Sequence, residues 1–139
     1  MVDERRLRRL LKGIEDDLVF LARFAGQDVD AIVGDDVVLA GIKYRFITAI
    51  EGCAKVAHHL SASEGWPVAE TNADAVRILA QQGVLSRELA TTVATAVGFR
   101  NLLVHQYGDI DNRRALENLA HLDDLQHFVD SVTRWASER

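Results

Sequence analysis

The chain has 139 residues, 48% of them hydrophobic and 27% charged, with a net charge of −5 and a single cysteine. That length supports one hydrophobic core and not two comfortable ones, while the composition excludes disorder, fibrous repeats and a disulfide framework. The acidic balance argues against general, salt-driven binding to nucleic acid, which depends on accumulated Lys and Arg.

No apolar stretch approaches the roughly 20 residues needed to cross a bilayer, and the start, MVDERRLRRLLKG, holds no apolar signal core, so a cytoplasmic protein is expected. One proline, few β-branched runs and leucines repeating at three and four predict an all-helical single domain over residues 1–139 with five helices. The first covers about residues 3–25, with Leu7, Leu11, Ile14, Leu18 and Leu21 as its apolar seam and Gly26 as a C-terminal cap. A Gly/Asp-rich stretch, GQDVDAIVGDD, separates it from a second helix over about Asp36 to Leu60, where Val38, Ile42, Ala49, Cys53, Val56 and Leu60 share one face. Within that helix Cys53 reads as a buried, reduced thiol rather than a nucleophile.

SASEGWPVAET then breaks the chain, because Gly65 and Pro67 interrupt a helix. A short helix follows over about Asn72 to Gln82, capped by Asn72 at its start and Gly83 at its end. Ser86 reads as the N-cap of a fourth helix with Glu88 in its first turn, continuing to Gly108. The fifth runs from about Asp111 or Asn112 to Ala136, carried by Leu122, Leu125, Val129, Val132 and Ala136.

The fourth helix ends in RNLLVHQY, residues 100–107, and this segment conflicts with its surroundings. At about 100° per residue, Leu89, Val93, Ala96 and Val104 fall within about 40° of Arg100, which sets a guanidinium in the middle of an apolar stripe. Tyr107 returns to nearly the same direction, whereas Asn101 and His105 share a flank roughly 100° to 140° away. An ionised Arg is seldom left unpaired where water is scarce, since its desolvation costs several kcal/mol. Either an internal carboxylate meets it, or the stripe faces a cleft or subunit interface where a ligand supplies the charge. In the plainer alternative Arg100 is salt-bridged at the core edge, His105 satisfies backbone groups at the helix end, and Tyr107 packs with its hydroxyl outward.

GFRNLLVHQYGDID, residues 98–111, resembles the Arg-x4-His-x-Tyr signature of the HepT-like toxins, a branch of the HEPN superfamily of helical ribonucleases. YRFITAIEGCAKVAHHL resembles the second long helix of that family, and VLSRELATTVATAVGFRN its approach to the signature. The resemblance implies a five-helix up-and-down bundle that forms a homodimer, with the signature helices of both subunits lining one cleft. It implies metal-independent cleavage of RNA, mRNA or tRNA, without a cofactor, in which His105 exchanges protons with the ribose 2′-hydroxyl or the leaving oxygen. Arg100 would hold the phosphate and stabilise the charge developing on it, and Asn101 would orient His105 or touch the phosphate. It also implies a partner, an MntA-like nucleotidyltransferase antitoxin that transfers AMP to Tyr107 and so blocks RNA. A second reading keeps the same fold as an inert module that docks such a nucleotidyltransferase.

The other candidates read more plainly. His58 and His59 point about 100° apart, and His121 and His127 are six residues apart, so neither pair has the helical metal spacing of i, i+4. The two adjacent histidines are expected to support the end of the second helix. Glu51 and Lys55 are in the favourable i, i+4 order for a solvated pair; in the alternative the second helix lines the cleft and Glu51 has a catalytic role. Lys43, Arg45, Arg113 and Arg114 are candidates for guiding RNA by charge, or simply a solvated face. No phosphate-binding glycine loop and no Ser/His/Asp arrangement stands out.

Overall fold

Helix starts are set by short polar side chains placed just ahead of apolar runs. In the computed structural model, which describes residues 2–104 and 109–139 and the side chains outside 101–111, the Asp3 carboxylate accepts the Arg6 N–H at 3.1 Å and opens α1 (Glu4–Ala22). That bond holds the Asp3 carboxyl below its ordinary pKa. After the short α2 (Val29–Val33), Asp35 accepts from Val37 and Val38 at 3.1 and 3.2 Å and opens α3 (Asp36–Glu64). Thr71, not Asn72, caps α4 (Asn72–Gln81) through the Asp74 N–H at 3.0 Å. Ser86 accepts from Leu89 at 3.1 Å at the start of α5 (Arg87–Val104), as the sequence predicts.

The C-terminal part is less regular than expected. In place of one fifth helix stand α6 (Asp109–Glu117), a 3-10 turn over Asn118–His121, and α7 (Leu122–Ser137). The second helix is longer than predicted: α3 reaches Glu64 and stops at Gly65, whose φ of 71° is left-handed and suits a residue without a side chain. His58 and His59 are therefore inside α3, and His58 Nε2 pairs with Asn72 Oδ1 at 2.9 Å.

The long α3 is the spine against which α1, α4 and α5 pack, and α7 lies across α1 and α5. Every residue of the predicted α1 seam is buried, as are Ile42, Ala49, Cys53, Val56 and Leu60 of α3, while Val38 is half-buried. Each large side chain of that set contributes about 1.5–3 kcal/mol of burial before chain entropy is subtracted. The approach of α1 to α3 is tight at Gly52, where a Cβ would lie 2.7 Å from Ile14 Cγ1. At the far corner Trp66, just after α3, meets Trp135 of α7 edge-on with ring centroids 5.7 Å apart. Arg139 stacks on Trp135 at 4.4 Å and pairs with Glu64, which ties the last residue to the end of α3. Among the described residues no strand occurs, and no helix is long and apolar enough to cross a membrane.

Candidate active site

The fold carries Arg100 to the outer edge of the α3–α5 contact. Val93 and Val97 on the same helix are buried, so α5 is committed to the core up to the turn before the guanidinium. There Arg100 meets a carboxylate. Its Nε donates to Glu51 Oε1 at 2.8 Å and its Nη2 lies 2.7 Å from the same oxygen, across 49 residues of chain. The side chains are 37% and 34% exposed. Glu51 thus pairs with Arg100 rather than with Lys55, and the internal acid left open by the sequence is identified.

The geometry matters more than the strength of this pair. Ion pairs this exposed stabilise a protein by about 0.2–1 kcal/mol, so the bridge does little for folding. A guanidinium has five N–H donors in a planar fork. Glu51 takes the Nε side, and among the described residues no other acceptor engages the Nη1 side. The cation is consequently half-accessible, held on one edge and able to receive a second oxyanion on the other.

Glu51 also lines a polar groove of about 350 Å³ between α1 and α3, together with Arg9, Tyr44, Arg45, Thr48 and Lys55. Arg45 is not free there. It donates to Asp17 at 3.0 Å and stacks 4.8 Å from the Phe20 ring centroid, while Thr48 donates to the other Asp17 oxygen at 2.6 Å. Asp17 is only 6% exposed, and both of its oxygens are satisfied, as a buried carboxylate requires. Lys43 is buried and Arg113 pairs with Asp30 at 2.5 Å, so three of the four cations suggested as RNA guides serve the fold, and Arg114 alone of them is exposed and unpaired among the described residues. On the other side of the α3–α5 contact, Phe46, Ile50, Phe99, Leu122 and Leu125 line an apolar groove of about 420 Å³.

The remaining signature positions are not all reached. Asn101 continues α5, with its backbone alone described, and His105 and Tyr107 lie outside the described residues. One cluster escaped the sequence reading: ligand atoms of Asp123, Asp124 and His127 lie within 4.8 Å of one another on an open face of α7. Its signal in the sequence is an acid and a histidine, Asp123 and His127, four apart, rather than a pair of histidines. An exposed acidic group of this kind is common on helices and does not by itself define a site.

Comparison with known proteins then decides the family. The profile described as "Ribonuclease HepT-like" matches residues 14–132. The chain belongs to the HepT-like ribonuclease family. A curated relative from Shewanella oneidensis, named mRNA nuclease HepT, is 25% identical over 83 residues, 59% of this chain. The chain spans 62% of the length of that relative. Among solved structures, a tri-AMPylated HEPN toxin from the same organism, in complex with an MNT antitoxin, superposes with a TM-score of 0.84 at 19% identity, covering 96% of this chain and 99% of that one. YutE of Bacillus subtilis, a cytosolic protein of unknown function, superposes with a TM-score of 0.77 at 20% identity, covering 96% and 90%. These likenesses establish the all-helical HEPN fold that the sequence predicts.

Proposed function

We propose that the chain is an endoribonuclease toxin, a homodimer of single helical domains in the cytoplasm, silenced by a nucleotidyltransferase antitoxin that attaches AMP to Tyr107. The observation that carries the reading is the Arg100 guanidinium, fixed on one edge by Glu51 and accessible on the other, at the head of an Arg-x4-His-x-Tyr pattern. Family membership and the relative named as an mRNA nuclease support the ribonuclease activity, and the AMPylated toxin–antitoxin complex supports the mode of silencing.

The chemistry needs few groups, because RNA supplies its own nucleophile. Removal of the 2′-hydroxyl proton lets that oxygen attack the adjacent phosphorus. The bond from phosphorus to the 5′ oxygen breaks, the leaving oxygen takes a proton, and the products are a 2′,3′-cyclic phosphate and a 5′-hydroxyl. A base, an acid and a donor to the phosphoryl oxygens suffice, so the reaction runs without a metal. An unperturbed imidazole titrates near pH 6.5, so His105 serves as one proton carrier and the partner subunit's His105 as the other. Arg100 binds the phosphoryl oxygens, whose charge grows in the transition state, and Asn101 orients His105 or contacts the phosphate. Since the Arg100–Glu51 pair is formally neutral, directed N–H groups and the second subunit supply the attraction that an isolated cation would give. AMP on Tyr107 sets a bulky anion beside Arg100, which occupies the cation and excludes RNA.

Purified protein incubated with total RNA tests this. The wild type is expected to produce fragments with cyclic phosphate ends, and Arg100→Ala and His105→Ala each to lose roughly 100-fold or more in rate while keeping the helical circular-dichroism spectrum. Intact RNA after incubation with a folded wild type, alongside tight binding of a nucleotidyltransferase, points instead to the inert docking module. Co-expression with the nucleotidyltransferase should raise the intact mass by one or more AMP units, and Tyr107→Phe should abolish the rise. An unchanged wild-type mass removes the silencing mechanism.

A further inference from the structure

The ion pair joining α3 to α5 is too exposed to matter much for folding, yet it spends a long side chain's freedom. Fixing an arginine costs up to about 2 kcal/mol of rotamer entropy, at least as much as an exposed pair returns. Such a contact is worth keeping where orientation has value of its own. Its carboxylate is firmly mounted: Ile50, Cys53 and Ala54 around Glu51 are buried, and Gly52 presses α3 against Ile14 of α1. Both donors converge on one oxygen, Oε1, which fixes the plane of the guanidinium as well as its position.

We propose that Glu51 is a positioning residue for RNA cleavage. It holds the Nε side of Arg100 and leaves the Nη1/Nη2 edge, with its parallel N–H groups, turned out for a phosphodiester. The proposal rests on the reading of Arg100 as a phosphate ligand of a ribonuclease. Two contrary roles are physically distinct from this one. A carboxylate that competed with RNA for Arg100 would inhibit, and a purely structural carboxylate would change stability without changing turnover. Engagement of one edge, with the other accessible, favours support over competition. Positioning acts on the transition state most strongly, because a misplacement of about 1 Å can cost roughly 100-fold in rate.

Steady-state cleavage of a short fluorescent RNA separates these outcomes, using the full chain with Glu51→Ala, Glu51→Gln, Arg100→Ala and the double variant Glu51→Ala/Arg100→Ala. Glu51→Ala is expected to lower kcat by about 10- to 100-fold with KM changed less than about threefold, and Glu51→Gln, which keeps a neutral acceptor, to recover part of the loss. In the Arg100→Ala background, removal of Glu51 should have no further effect, since its influence passes through the guanidinium. The Arg100 Nε–H resonance, slowed in exchange by its hydrogen bond, should be lost in Glu51→Ala while the thermal midpoint is nearly unchanged. A Glu51→Ala enzyme that cleaves as fast as or faster than wild type, or a loss that multiplies with that of Arg100→Ala, overturns the proposal. If Arg100→Ala itself cleaves normally, or the wild type leaves RNA intact, it is the reading of the site that has failed, and the proposal goes with it.

Discussion

Cys53 lies wholly buried in α3, two residues beyond Glu51, and burial pushes its thiol far above the ordinary value of 9.0. A reactive sulfur is a thiolate, so the native protein should resist a thiol reagent at pH 8 and react stoichiometrically once unfolded in urea; rapid native labelling would contradict the packing. The sign of the linkage follows. Above the ordinary value the unfolded chain releases the thiol proton while the folded chain retains it, so this group withdraws stability as pH rises. Burial of Cys53 is legible from helix spacing alone, because its neighbours at three and four are apolar. The partner of Arg100 is not. Local rules see Lys55 four residues from Glu51, whereas the true contact spans 49 residues and exists only once α3 and α5 have docked.

At the scale of the helix, Gly52 shows how packing outranks propensity. Glycine to alanine inside a helix normally stabilises by up to about 1 kcal/mol. Here the new methyl would sit 2.7 Å from Ile14 Cγ1, and Ile14 is itself fully buried, so its side chain or α1 has to shift. Gly52→Ala should therefore destabilise by about 1–3 kcal/mol in urea denaturation, and a neutral or stabilising result would show that α1 is free to shift. The same competition explains the elements that sequence patterning blurs. The α1 seam and the Ser86 cap are strong local signals. The break between α6 and α7 contains no glycine or proline; instead Asn118 turns back to donate to the Arg114 carbonyl at 3.2 Å, and a tight turn follows. Conversely α2 hides in a Gly/Asp-rich stretch, where Asp28 caps it through the Asp30 N–H at 3.1 Å and Ile32 is buried beneath.

For the molecule as a whole, composition and spacing predict one helical core, and the described residues pack around one. Several cations are engaged in pairs: Arg45 by Asp17, Arg100 by Glu51 and Arg113 by Asp30. With an acidic chain and several of its cations paired, the proposed selectivity for a phosphodiester rests on geometry at one place rather than on accumulated charge. Fold class was readable because amphipathic spacing is a property of each segment separately. The arrangement of the candidate site was readable only in its residue types, because distances between helices are written in no single segment.

The edge-on tryptophan pair has a practical side. Trp66 and Trp135 are the only two indoles in the sequence, and they share one corner where the end of α3 meets α7 and Arg139 closes over them. Ultraviolet emission from this protein is accordingly a single-locus optical reporter, blind to α5 except through global unfolding. A variant at the end of α5 that loses the proposed cleavage yet keeps the native emission spectrum still has this corner packed.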